Sequence, residues 1–204
     1  MRSWGQSTFV FMSTNLSHEP GCVETSWLPV MAELERLGAT VHFIVMAESP
    51  LAEPARRLGV TVAPYILDKW NIIRSRSRLR KYLRRYQPVV AHSTGLEADL
   101  LLRWAARRVP EVAIATTIAD TGRQATRRRS PVDALMRRFD ETGITRSAAV
   151  FVGSEETIGE VQAAGVPVER VVLDPLAGSH AERDSVARHI GVYLSLMAGR
   201  GSRG

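Results

Sequence analysis

Seven short runs of β-branched and other apolar residues recur along this chain, each separated from the next by a segment of helical periodicity. That alternation constrains the fold more than any single motif. The runs are Thr8 to Met12, Thr40 to Val45, Val60 to Ala63, Val89 to His92, Val112 to Thr117, Ala149 to Val152 and Val171 to Leu173. They are nearly continuous in apolar character, the pattern of strands covered on both faces. Between them apolar residues return at i, i+3, i+4 and i+7, as in Leu79, Tyr82, Leu83 and Tyr86, and in Val132, Leu135, Met136 and Phe139. Leu37-Gly38 and Leu58-Gly59 read as helix ends with glycine just past the stop, and Ser154 before Glu155, Glu156 and Thr157 reads as a capped start. Strands alternating with helices in this way build a doubly wound, mostly parallel α/β sheet of about seven strands.

A chain of 204 residues with 45% hydrophobic content suffices for one well-buried α/β domain and is short for two. The single Cys22 excludes an internal disulfide framework and fits a reducing compartment. No run approaches the roughly 18 consecutive apolar residues of a membrane span, and the first apolar run is too short for a signal-peptide core. The expectation is a soluble cytoplasmic protein.

The formal charge is +6, and nearly all the base is arginine, with Lys69 and Lys81 the only lysines. Its placement is uneven. Between Asp68 and Glu97 there is no acid, while Lys69, Arg74, Arg76, Arg78, Arg80, Lys81, Arg84 and Arg85 fall there; a second acid-free interval holds Arg123, Arg127, Arg128 and Arg129. Such blocks form either a solvated face or a surface for anionic lipid, nucleic acid or phosphorylated substrate. Because aromatic residues for base stacking do not alternate with the arginines, anionic lipid or phosphorylated acceptors are favoured over nucleic acid.

In a doubly wound sheet the ligand sits outside the carboxyl ends of the strands. The residues there are Ser13 to Val23, Ala47 to Ser49, His92 to Gly95, Ile118 to Arg123 and Gly153 to Glu155. The first of these loops carries Pro20-Gly21-Cys22-Val23-Glu24-Thr25 and leads straight into a helical segment, so backbone N–H groups without intrahelical partners would face the crevice beside the positive end of the helix dipole. That suits a phosphate or a polar sugar. An ordinary strand-to-helix connection uses the same residues.

Several segments carry a family resemblance, in order along the chain. Pro20 to Thr25, Leu34-Glu35-Arg36-Leu37-Gly38-Ala39-Thr40-Val41 and Tyr86-Gln87-Pro88-Val89-Val90-Ala91-His92-Ser93 resemble the N-terminal half of a GT-B glycosyltransferase of retaining family 4. Thr116 to Arg123, Val150 to Glu155 and Ala164 to Val171 are similar to later segments of the same half, so the resemblance covers about residues 6 to 174. It implies a Rossmann-like acceptor domain over residues 1–178. The family's second domain, which holds the nucleotide-sugar donor, has no room here, and no stretch resembles its donor-binding Arg/Lys pair or its spaced glutamates. Residues 179–198, with Val186, Ile190, Tyr193, Leu194 and Met197 read as one apolar face, resemble the helix with which full-length members return to the N-terminal domain; a generic amphipathic helix reads the same way. Residues 199–204 are expected to form a disordered tail.

By resemblance, His92 matches the second histidine of the family's H-x-H and would orient the acceptor or the transferred sugar; a lone histidine at a strand end is equally often satisfied locally. Gly21, Cys22, Ser93, Asp120 and Arg123 are the corresponding substrate-binding candidates. Two departures matter. Cys22 stands where the family has a second glycine, so a Cβ and sulfur crowd the ligand, and Ala119 stands where many members have histidine. The implied function is an acceptor-binding domain that transfers sugar only when completed by a donor-domain partner, the isolated chain being inactive. Alternatives are a non-catalytic pseudo-glycosyltransferase and a basic α/β module binding anionic lipid, a partner protein or nucleic acid. Expected partners are a donor domain or a second copy of the chain, a nucleotide-sugar, a glycan or lipid acceptor, and an anionic membrane at its inner face. No cofactor is implied. A metal site is not expected either, because His180 and His189 do not share a helix face. Cys22 as a nucleophile would need a base such as His18, and Glu24 serves equally as a first-turn helix acid.

Overall fold

The computed structural model describes residues 3–13, 23–46, 49–65, 72–118, 143–174 and 179–201. Its strands are β1 (Thr8–Ser13), β2 (Thr40–Met46), β3 (Thr61–Tyr65), β4 (Val90–Thr94), β5 (Ala113–Ile118), β6 (Ala149–Val152) and β7 (Val171–Leu173). The helices among the described residues are α1 (Val23–Arg36), α2 (Ala52–Arg57), α3 (Ile72–Tyr86), α4 (Leu96–Ala106), α5 (Glu155–Ala163) and α6 (Ser179–Gly201). All seven strands lie in one sheet of order β3-β2-β1-β4-β5-β6-β7, and each neighbouring pair is parallel. The sheet is wholly parallel, as expected from strands without alternation.

Side chains alternate across the strands, and the alternation sorts the core. Phe9, Phe11, Phe43 and Phe151 face a layer containing Trp27 and Leu34 of α1, Ala55 of α2 and Tyr193 of α6. Val10, Met12, Ile44, Ala91 and Ile114 face the opposite layer, where Leu79 and Leu83 of α3 meet Leu101 and Leu102 of α4. A smaller cluster joins Val150 and Val152 of β6 to Val161 of α5.

Local signals behave as the residue chemistry dictates. Gly38 (φ 86°) and Gly59 (φ 87°) take the left-handed conformation after α1 and α2, and Ala39 N–H and Val60 N–H close back on the carbonyls of Leu34 and Ala55 at 3.0 and 3.2 Å. Ser154 caps α5, its Oγ accepting from Thr157 N–H at 3.3 Å. Strand β3 runs two residues beyond the expected Ala63 and includes Pro64, which is tolerated because β3 is an edge strand and its missing N–H need break no ladder.

Helix α6 departs from expectation in two ways. It continues to Gly201, so residues 199–201 are helical where a tail was expected. Its buried face runs through Ser185, His189, Tyr193 and Met197, whereas Leu194 is 41% exposed. One residue past Tyr193 is a rotation of about 100°, which carries Leu194 off the face. The helix expected from Val132 to Phe139 falls outside the described residues.

Candidate functional site

From β1 the chain builds outward through β2 to β3, then returns to place β4 on the other side of β1. Connections leaving β1 and β4 therefore diverge, and the crevice of a doubly wound sheet opens between their carboxyl ends. Register puts Ser13 opposite Thr94, and Thr94 opposite Thr117, so three hydroxyl residues cross the sheet in one row at that edge. Gly95 follows at once, with φ 89°, as the N-cap of α4, and no side chain caps that first turn. Only glycine holds this conformation without strain, and it leaves backbone N–H groups facing the carboxyl-end side.

His92 and Ser93, neighbours in the sequence, part company because successive strand residues point to opposite faces. Ser93 faces the α3/α4 layer, fully buried, and its Oγ has no hydrogen-bond partner among the described residues. His92 faces α6 and is 1% exposed. Its Nδ1 lies 2.6 Å from the Tyr193 hydroxyl and its Nε2 2.7 Å from Thr117 Oγ1, so both ring nitrogens are engaged within the protein. One nitrogen donates and the other accepts, which fits a neutral ring. Burial, and secondarily His189, pushes the His92 pKa well below the usual histidine range. Burial likewise pushes Tyr193 well above the ordinary phenol value, with Asp174 adding to the shift.

A second polar group ties the same helix to β7. Ser185 Oγ donates to Asp174 Oδ2 at 2.8 Å, and His189 Nδ1 donates to the Ser185 carbonyl at 3.0 Å, with Asp174 Oδ2 at 3.4 Å. The His189 ring stacks on Phe151 at 4.1 Å and lies 5.6 Å from His92. Burial lowers the His189 pKa, against the opposing pull of Asp174 and the Ser185 carbonyl. Arg188 Nη1 donates to the Leu173 carbonyl at 2.8 Å. The carboxyl-end region is thus pinned from the α6 side by two histidines.

Of the residues expected to bind substrate, Ser93 lies at the carboxyl end of β4, beside Thr94 and Gly95. Gly21, Cys22, Asp120 and Arg123 lie outside the described residues, as do His18 and the side chains of Glu24 and His180. Thr117 and Tyr193, the partners of His92, were not singled out for that part. The alternation of Thr117 with Ala115 and Ala113 was a usable signal, since all three share the His92 face. Among the described residues no three His, Cys, Asp or Glu side chains gather to hold a metal, and no helix is long and apolar enough to cross a membrane.

Comparison with known proteins bears on this crevice. Residues 21–177 match the model of the glycosyl transferase 4-like domain. A search of the curated proteins finds no match in sequence. Among solved structures, the chain resembles Anabaena HepE in complex with UDP-glucose, with a TM-score of 0.63 and 11% identity over 91% of this chain and 50% of that one. MurG of Acinetobacter baumannii superposes with a TM-score of 0.56 and 11% identity over 85% of this chain and 46% of that one. UDP-GlcNAc 2-epimerase of Methanocaldococcus jannaschii gives 0.57 and 11% over 91% of this chain and 49% of that one. The chain therefore spans about half the length of the solved structures it matches, and the shared half is this parallel sheet with its helices. The chain belongs to the glycosyl transferase 4-like domain family and has the Rossmann-like architecture of one half of a GT-B glycosyltransferase.

Proposed function

We propose that this chain is the acceptor-side half of a sugar-transfer unit, which moves a sugar from a nucleotide-sugar to a glycan or lipid acceptor only when a donor-side half, carried in cis or in trans, closes over the crevice. The observation that carries the reading is the β1/β4 switch point, with its row of Ser13, Thr94 and Thr117 and the uncapped amides after Gly95. Family membership and the UDP-glucose bound by HepE support it. In this reading Gly21, Cys22, Asp120 and Arg123 contribute substrate contacts from the loops that follow β1 and β5, and Ser93 contributes from β4. His92 acts through its neighbours: its enclosed ring positions the carboxyl ends of β4 and β5 against α6. A cytoplasmic chain working at the inner face of an anionic membrane completes the proposal.

Titration of the chain alone with UDP-glucose tests it. One wall of a cleft offers few contacts, so calorimetry should detect no tight binding, while millimolar ligand should move the amide resonances of Ser93, Thr94 and Gly95. A micromolar or tighter dissociation constant would overturn the half-site reading. Perturbation confined to other regions would overturn the crevice.

A further inference from the structure

The two contacts of His92 share three protons, one each from the Tyr193 hydroxyl, the ring and the Thr117 hydroxyl. One proton is therefore left over. Tyr193 is 0% exposed, and His92 Nδ1 is the one hydrogen-bond partner of its hydroxyl; among the described residues no carboxylate or carbonyl accepts from it. Thr117 Oγ1 likewise has a single partner, His92 Nε2. Phe11, Trp27 and Phe151 surround the His92 ring and neither nitrogen touches a carboxylate, so the ring is neutral and carries one proton. Two arrangements satisfy both contacts. In the first, Thr117 O–H donates to Nε2 and Nδ1–H donates to Tyr193, which strands the Tyr193 proton in the core at the cost of an unmade bond. In the second, Tyr193 O–H donates to Nδ1 and Nε2–H donates to Thr117 Oγ1. The spare proton is then that of Thr117, which stands in the row with Ser13 and Thr94 at the carboxyl-end edge of the sheet.

We infer that Tyr193 holds His92 as the Nε2–H tautomer, and that this makes the Thr117 hydroxyl a fixed hydrogen-bond donor to one oxygen of a sugar bound in the crevice. Thr117 makes the contact; His92 and Tyr193 are positioning residues. The inference rests on the crevice reading above and adds which group of the row discriminates, and how. A free threonine hydroxyl both donates and accepts. Here the ring N–H takes one of its acceptor positions and the hydroxyl proton is turned away from the ring, so Thr117 serves a ligand oxygen and not a group that only donates, such as an ammonium. Register explains why this threonine has the part: Thr117 lies between Thr94 of β4 and Phe151 of β6, within diagonal reach of the His92 ring one pleat below. At 4% exposure it meets a single atom of a ligand rather than the face of a sugar. The direction of a donor on β5 is thus set by a hydroxyl on α6.

Nitrogen-15 NMR of the whole chain at neutral pH tests the tautomer without any ligand. Of the five histidines, His92 is identified by the ring signals that disappear in His92→Gln. Its Nε2 should give the signal of a protonated, pyrrole-type nitrogen and its Nδ1 that of an unprotonated, pyridine-type one. In Tyr193→Phe the donor to Nδ1 is gone, and the two signals should draw together as the proton divides between the nitrogens. Titration with UDP-glucose, followed at the amides of Ser93, Thr94 and Gly95, tests the contact. Thr117→Ser keeps the hydroxyl and should bind like the parent; Thr117→Val should bind about fivefold more weakly, the loss of one neutral hydrogen bond. Thermal unfolding of each variant separates a lost contact from a lost fold. A protonated Nδ1 in the parent, ring signals unmoved in Tyr193→Phe, or Thr117→Val binding as tightly as the parent would overturn the inference. A parent whose amides do not respond to UDP-glucose overturns the crevice reading and takes the sugar contact with it, while the ring signals decide the tautomer by themselves.

Discussion

The Tyr193 hydroxyl of α6 meets Nδ1 of His92 in β4 at 2.6 Å, across 101 residues of chain. Both groups are wholly buried, so each satisfies a polar atom that would otherwise be stranded in the core, and the pair fixes the last helix on the strand that ends at the crevice. Thr117 completes the arrangement from β5 at 2.7 Å.

Replacing Tyr193 by Phe keeps the ring packing against Phe9 and Phe11 and removes only the hydroxyl. The His92 nitrogen then loses its partner in a dry site, and urea unfolding should show a loss of about 1–3 kcal/mol. An unchanged midpoint would mean that water replaces the hydroxyl.

Acid should destabilise the fold. Burial lowers the pKa of His92, His189 and His42 in the folded chain, while the unfolded chain keeps the ordinary value of 6.5. Above that value both states are neutral and stability is flat with respect to these rings. Below it the unfolded chain takes up protons that the folded chain refuses, so stability falls with decreasing pH, by up to about 1.4 kcal/mol per pH unit for each ring, until the folded pKa is reached. Thermal unfolding measured on the acid side of neutrality should show this decline, and His92→Gln should make it shallower.

Truncation after Gly178 removes α6. The chain loses Tyr193 and Met197 from the core and uncovers Phe9, Phe11 and Phe151. At roughly 25 cal/mol per Å² of apolar area, the loss amounts to several kcal/mol. The truncated chain should melt well below the parent or be insoluble; melting at the parent temperature would show α6 to be dispensable.

Gly59→Ala isolates backbone strain from crowding, because no atom lies within 4 Å of the added Cβ while φ is 87°. Chemical denaturation should report a destabilisation of about 1–2 kcal/mol. A neutral result would mean that the turn after α2 relaxes out of the left-handed region.

Periodicity and turn chemistry, read locally, were enough for the seven strands, the glycine stops at Gly38 and Gly59 and the Ser154 cap, because each depends on a few adjacent residues. The carboxyl-end location of Ser93, Thr94 and Gly95 followed from the same alternation, since a parallel sheet leaves no other side for the connections to begin. What only the tertiary structure decided was which groups meet across long separations. His92 could not be told apart as a ligand or a core residue until Tyr193 and Thr117 were placed on its two nitrogens, and Leu194 could not be placed outside the α6 face until the helix was docked. The arginines of α3 were visible as a charged run, but the seat of Arg76 over Trp104 and the reach of Arg84 to the Arg108 carbonyl depend on how two helices pack on one sheet face. Residue type and spacing govern local conformation; contacts between distant segments are set by how buried surfaces fit together, which a linear pattern does not encode.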